Sequence, residues 1–249
     1  MADPVWWMAA LGALGLVFGS FIATVAIRWP EGRSALKGRS ECDGCGRTLT
    51  VAELIPVGSY VAQRGRCRAC GAAIGRLHPV VELLGLATGL VAAAVAPDWT
   101  GVAGAIFGWL LLTLAVLDLR AFWLPDLLTG ALALAGLTTG LLGLAPSTQD
   151  RLIGGIAGFA VLWAVAALYR NLRGREGLGG GDAKLMGAIG LWLGWRDLPL
   201  VLFTACMIGL VAALVILARR GRLSATDQLP LGMLLALAAF PCWLTQAIR

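Results

Sequence analysis

Eight stretches of this chain are too apolar to be left in water. They cover residues 5–29, 79–96, 100–117, 125–145, 152–169, 185–195, 198–218 and 229–248 of a 249-residue sequence. A bilayer core of ~30 Å is crossed by ~20 consecutive apolar residues, and only helices or closed barrels can cross it. Charged residues make up 14% of the chain, against roughly 25% in soluble domains. These runs predict an all-α polytopic membrane protein of about eight transmembrane helices. The sixth run is only 11 residues long, short for a full crossing. The first run is not a cleavable signal. It is too long, has no basic segment before it, and is followed at once by Arg28 and Pro30.

The basic residues set the orientation. Nine of them (Arg28, Arg33, Lys37, Arg39, Arg47, Arg64, Arg66, Arg68 and Arg76) fall in or at the edge of one long polar segment, residues 30–78. With that segment in the cytoplasm and eight spans threaded, Arg120, Arg170, Arg173, Arg175, Lys184, Arg219, Arg220 and Arg222 join them. Seventeen basic residues then face the cytoplasm. Three, Arg151, Arg196 and Arg249, face the other side. The formal charge of +6 is thus a topology signal. No interleaving of basic and aromatic residues points to nucleic acid. The chain divides into a first helix (1–29), a cytoplasmic insert between helices 1 and 2 (30–78) and a membrane core (79–249).

The insert carries two matching knuckles, Cys42-Asp-Gly-Cys45-Gly46 and Cys67-Arg-Ala-Cys70-Gly71, with 21 residues between Cys45 and Cys67. Each short turn lets two thiolates converge on one ion. Two such turns make a tetrahedral four-cysteine zinc site. A closed set of four thiolates leaves no open position, so this zinc is structural. A cytoplasmic location disfavours disulfides between these cysteines. Cys206 and Cys242 stand singly in apolar runs and read as small buried hydrophobes. His78, the sole histidine, sits where the insert returns to the membrane, and Glu82 lies one turn further on. A carboxylate at that depth must face protein or a polar cavity.

Two aspartates carry the chemistry. Asp182 follows Gly179-Gly180-Gly181, where no side chain shields the backbone from an approaching substrate chain. Lys184 follows it. Asp118 ends the third run, at a helix C-terminus, the wrong end for an anion. Asp126, after Pro125, starts the next helix and suits its dipole. In the threading above, Asp118 and Asp182 fall on the cytoplasmic side at similar depth. Two carboxylates in a partly dry site cannot both ionise easily. One keeps a proton, and the pair can activate a water as general base and acid.

At these residues the chain resembles the bacterial type IV prepilin peptidases, membrane aspartic proteases with a G-x-G-D motif. Gly179-Gly-Gly181-Asp182-Ala-Lys184-Leu matches G-x-G-D-x-K-L. Asp118 with Leu124-Pro125-Asp126 downstream matches the first aspartate and its following P-D, and the 64-residue separation is family-like. Gly19-Ser20-Phe21 with Arg28-Trp29-Pro30, the paired knuckles, Ile55-Pro56-Val57 and His78-Pro79-Val80-Val81-Glu82 resemble the N-terminal element, the insert and its return. The chain departs from the pattern at Ala23, where many members have Asn. It departs again at Leu229-Pro230-Leu231-Gly232-Met233, where a P-F-G-P-like element is common.

The resemblance implies Asp118 and Asp182 as the catalytic pair, with Gly179, Gly180, Gly181 and Lys184 on the substrate's approach. It implies a prepilin or pseudopilin substrate, cut after the Gly that ends its basic leader. The site would face the cytoplasm, in the bacterial inner membrane, serving a type IV pilus or type II secretion. It also implies N-methylation of the new N-terminus with S-adenosylmethionine as methyl donor, an activity associated with the insert; the donor's binding residues are not legible. Two other readings compete, a non-proteolytic transport protein and a secretion-assembly factor. A transporter would place its carboxylates near mid-membrane, and an assembly factor would need neither aspartate.

Overall fold

A computed structural model of the chain describes residues 3–174, 177–220 and 228–249. Arg175 and Arg222, counted above for orientation, lie outside these. All eight apolar runs are helical: α1 (Pro4–Arg28), α3 (Leu77–Val95), α4 (Trp99–Ala121), α5 (Asp126–Leu141), α6 (Thr148–Arg173), α7 (Gly180–Leu193), α8 (Leu198–Arg220) and α9 (Leu231–Ile248). Within the insert lie a short helix, α2 (Gly58–Ala62), and a 3-10 turn, Val51–Leu54. Six of the long helices are long and apolar enough to cross a membrane: α1, α3, α4, α6, α8 and α9. The other two are shorter. The 16 residues of α5 and 14 of α7 rise about 24 and 21 Å, less than a ~30 Å core.

The outward faces of α6 and α8 carry Ile156, Trp163, Leu210, Val211 and Leu214, all exposed. Such faces belong against lipid. By contrast α4 buries Phe107, Leu111, Leu114 and Leu117. The chain forms two compact units, Met1–Thr113 and Leu114–Arg249, with the boundary inside α4.

In the first unit, α1 and α3 touch backbone to backbone. A methyl group on Gly15 would overlap the carbonyl of Gly85, and one on Gly85 would overlap that of Gly15. Lipid tails are as apolar as leucine, so helices in a bilayer associate through close packing, and small residues permit it. Trp109 donates from its indole nitrogen to the Gly85 carbonyl at 3.0 Å, satisfying a buried polar group.

In the second unit, α6 and α7 make the same kind of contact at Gly154 and Gly190. Beside it lies Arg151, only 2% exposed. Its five guanidinium N–H groups reach six backbone carbonyls, three of them shared by the two N–H groups of Nη1. They are those of Gly136 in α5, Leu144, Ala145 and Pro146 in the α5–α6 connection, and Leu191 and Trp192 in the last turn of α7, at 2.7 to 3.3 Å. The last carbonyls of a helix have no partner of their own, and a cation suits their partial negative charge. The threading puts Arg151 on the non-cytoplasmic side as a topology marker. In the fold it is a buried tie between two short helices.

Arg151→Met should therefore leave several carbonyls without donors and destabilise the protein by about 3–5 kcal/mol. Arg151→Lys, with three donors and no planar fork, should recover only part of this. Thermal unfolding in detergent reads the effect. A melting midpoint unchanged in Arg151→Met would contradict it.

Candidate active site

Asp118 and Asp182 are both buried, at 5% and 8% exposure, and both lie in the second unit. Glycine sequences read as loops, but Gly179 is the N-cap of α7 and Gly180 and Gly181 already belong to its first turn. The approach segment is therefore the start of a helix. Asp182 is the third helical residue, and its carboxylate reaches back to accept from the Gly179 N–H. That is half of a capping box, and it places the anion at the favourable end of a helix dipole.

Asp118 lies in the last turn of α4, and its own helix offers it no donor. A different helix does. Met233, third residue of α9, donates its backbone N–H to Asp118 Oδ2 at 2.9 Å. First-turn N–H groups have no partner within their own helix, so the start of α9 is a ready anion site. The segment 229–233, which departs from the family pattern, is the one that receives Asp118. Each carboxylate is thus met by the N-terminal end of a helix, its own for Asp182 and a distant one for Asp118.

Leu124 packs against the helix starts that hold them, at Gly181 and Gly232. A Cβ at Gly232 would stand 2.8 Å from Leu124 Cδ1 and 2.9 Å from Asp118 Oδ2. One at Gly181, beside Asp182, would stand 3.0 Å from Leu124 Cβ. The two carboxylates are close enough for the charge of Asp118 to act on Asp182. Lys184 does not join them. Its ammonium pairs with Asp126 at 2.6 Å in an exposed ion pair linking α7 to the start of α5. Sequence reasoning misses Leu124, and it sees in Gly232 and Met233 only a departure. Pro230 before an apolar run does mark a helix start, but nothing local says which carboxylate that start receives.

In the first unit, the four cysteines converge. The sulfurs of Cys42, Cys45, Cys67 and Cys70 all lie within 4.8 Å of one another, a cluster that could hold a metal ion. Sulfurs at ~2.3 Å from a tetrahedral zinc are about 3.8 Å apart, and the Cys42 and Cys70 sulfurs are 3.8 Å apart. The knuckles are built alike. In the first, Cys42 N–H donates to the Arg47 carbonyl and Gly46 N–H to the Cys42 carbonyl. In the second, Cys67 N–H donates to Ala72 and Gly71 N–H to Cys67. Gly46 and Gly71 hold φ of +69° and +73°, the left-handed turn that favours glycine.

Backbone N–H groups of Cys70 and then Ala69 draw the Cys67 thiol down to about 6. Arg47 ties the knuckles to the rest of the insert. It donates to Glu53 at 2.6 and 3.2 Å and also bonds the Cys67 sulfur. Its guanidinium, with the N–H and hydroxyl of Thr50, holds the Glu53 carboxyl down to about 2.

Comparison with known proteins places this geometry in a family. Residues 13–96 match the Bacterial Peptidase A24 N-terminal domain, and residues 105–214 match the Type IV leader peptidase family. A prepilin leader peptidase/N-methyltransferase of Burkholderia pseudomallei is 39% identical over 252 residues, covering 90% of this chain and 80% of the relative. One of Pseudomonas aeruginosa is 35% identical over 263 residues, covering 96% and 90%. One of Aeromonas hydrophila is 39% identical over 203 residues, covering 81% and 70%. No solved structure matches the chain. With one model matched by the first unit and its cysteine cluster, another by most of the α4–α8 region that carries both aspartates, and relatives aligned along most of their length, the chain belongs to the type IV prepilin leader peptidase/N-methyltransferase family.

Proposed function

We propose that the protein is a bifunctional enzyme of the bacterial inner membrane. It removes the basic leader of a type IV prepilin or pseudopilin and then N-methylates the exposed α-amine, with Asp118 and Asp182 as the proteolytic pair. The observation that carries the reading is the convergence of two buried carboxylates, each supplied with backbone N–H groups at a helix N-terminus, Gly179 for Asp182 and Gly232 with Met233 for Asp118. The active side is cytoplasmic, supported by the seventeen-to-three split of basic residues. There a leader of basic residues stays in water while the pilin's apolar helix lies in lipid.

The chemistry needs one proton shared by the pair. The ionised carboxylate takes a proton from a water whose oxygen bonds to the scissile carbonyl carbon. The protonated carboxyl gives its proton to the carbonyl oxygen. The resulting diol then collapses and the C–N bond breaks. The departing nitrogen takes the proton from the first carboxyl, and a diol hydroxyl returns one to the second. The pair is restored, and the products are the leader acid and a free amine. The N–H donors, Gly179 to Asp182 and Gly232 with Met233 to Asp118, hold the two carboxylates in place, and their remaining lone pairs handle water and substrate. Any macroscopic titration belongs to the two groups together.

Cys42, Cys45, Cys67 and Cys70 would hold a structural zinc, which would brace the insert and supply no chemistry to the cleavage. S-adenosylmethionine supplies an electrophilic methyl on a sulfonium. The neutral amine would take the methyl as its bond to sulfur breaks, leaving a neutral thioether, and the amine's extra proton would go to solvent.

Co-expression with a cognate prepilin tests the pair. Asp118→Asn and Asp182→Asn should each lower cleavage by roughly 10²–10⁴-fold while the protein still folds and inserts. Substantial cleavage by either would remove that residue from the pair. Gly232→Val should push on Asp118 and Leu124 and lower kcat by up to about 10²-fold, with KM for the prepilin little changed. Gly130→Ala, where an added Cβ meets nothing within 4 Å, should leave both unchanged. Equal kinetics for the two variants would contradict the role given to α9. Metal analysis should find one zinc per chain, lost in Cys42→Ser and kept in Cys206→Ser. Zinc content unaffected by Cys42→Ser would rule out the four-cysteine site.

A further inference from the structure

Arg47 belongs to the first knuckle, two residues beyond Cys45, but its side chain finds its partners elsewhere in the insert. Nη1 and Nη2 donate to the two oxygens of Glu53, at 3.2 and 2.6 Å. Glu53 is buried and is itself fixed by Thr50, whose N–H and hydroxyl both donate to Oε2 at 2.9 Å. A planar fork gripped on two oxygens has little freedom to turn, so the rest of the guanidinium is held in place with it.

One donor of that group is left over. Arg47 Nε is buried, and it is the one buried side-chain nitrogen or oxygen among the described residues without a hydrogen-bond partner. A buried N–H left unpaired is costly, and such atoms are rare in folded proteins. The guanidinium's other neighbour is the sulfur of Cys67, on the second knuckle. A thiol sulfur is only a weak acceptor. A metal-bound thiolate is a better one, and four thiolates around a divalent ion leave about two negative charges in excess.

We infer that Arg47 is a positioning residue of the metal site, its Nε–H donating to the Cys67 thiolate when an ion is bound, with Glu53 and Thr50 holding the guanidinium for that contact. The inference rests on the four-cysteine zinc reading above and deepens it. The spare donor then has its acceptor, and part of the excess negative charge is answered by a cation. The contact also links the knuckles, because Arg47 stands on the first and Cys67 on the second. Outer partners of this kind orient metal ligands and tune the electrons on them. A lysine could not do the same, since its point charge has no rigid fork to serve Glu53 and the sulfur in one plane.

The test uses the full-length protein in detergent, loaded with cobalt(II) in place of zinc. The ligand-field bands of cobalt report its geometry, and its charge-transfer bands report how electron-rich the sulfurs are. Arg47→Met removes the donor. Arg47→Lys keeps a charge beside Glu53 without the fork, and decides the matter if Arg47→Met folds poorly by melting midpoint. A thiolate that loses a hydrogen bond gives up electrons more readily, so its charge transfer moves to longer wavelength. The expected result in both variants is that shift, with the ligand-field bands unmoved and zinc affinity against a chromophoric chelator lowered about 10–100-fold. In a Cys67→Ser background, which keeps three thiolates, Arg47→Met should cause no shift. Charge-transfer bands at their wild-type position in a folded variant, or a shift that persists without Cys67, would overturn the inference. Weaker metal binding with unmoved charge-transfer bands would make Arg47 a brace of the fold alone and overturn it equally. A folded wild type that takes up neither zinc nor cobalt would overturn the four-cysteine reading, and this inference with it.

Discussion

A carboxylate at the end of an apolar helix has to be given a hydrogen bond by some other part of the chain, and the fold is arranged to provide it. For Asp118 the donors are the N–H groups of Gly232 and Met233 at the start of α9, Met233 lying 115 residues away in sequence. For Asp182 the donor is the N-cap of its own helix. Backbone amides at helix starts are lone donors. Using them for both aspartates meets two needs of a membrane at once. The helix ends are satisfied, and the anions are stabilised with no basic side chain among the described residues at hand to neutralise them. A lysine or arginine in contact would have pinned both carboxylates in the charged form and removed the shared proton that the proposed cleavage needs. Lys184, the nearby cation in sequence, is held instead by Asp126.

Glycine provides the other constraint. The contacts of Gly15 with Gly85 and of Gly154 with Gly190 bring helix axes together more closely than any side chain would permit. At Gly232 and Gly181 the missing side chains make space for Leu124, which packs against the helix starts beside both aspartates. The 34 glycines of this chain are therefore not all flexible joints. Several are the places where one helix must lie directly on another.

Much of this is legible in the amino-acid sequence. The apolar runs become helices at nearly their expected bounds, because in lipid a long apolar run has no other stable form. The knuckles converge because the spacing of paired cysteines encodes a local turn. Both aspartates stand out, Asp118 through its misfit at a helix C-terminus. What escapes is non-local. Gly179-Gly180-Gly181 reads as a loop by propensity, yet its last two residues are helical. The eleven-residue run 185–195 is in fact a 14-residue helix beginning at Gly180. Arg151 counts as a surface charge in the sequence, since nothing adjacent hints that six carbonyls from three segments surround it. Ala23 reads as a missing polar group near the insert. It is 0% exposed, on the buried face of α1.

The most direct measurement is the intact mass of a cognate prepilin after incubation with the purified protein in detergent, with and without S-adenosylmethionine. The account predicts loss of the leader in both samples, and addition of one methyl group only where the donor is present. An uncut prepilin, from a preparation that is folded and zinc-loaded, would contradict the carboxylate-pair reading at its centre.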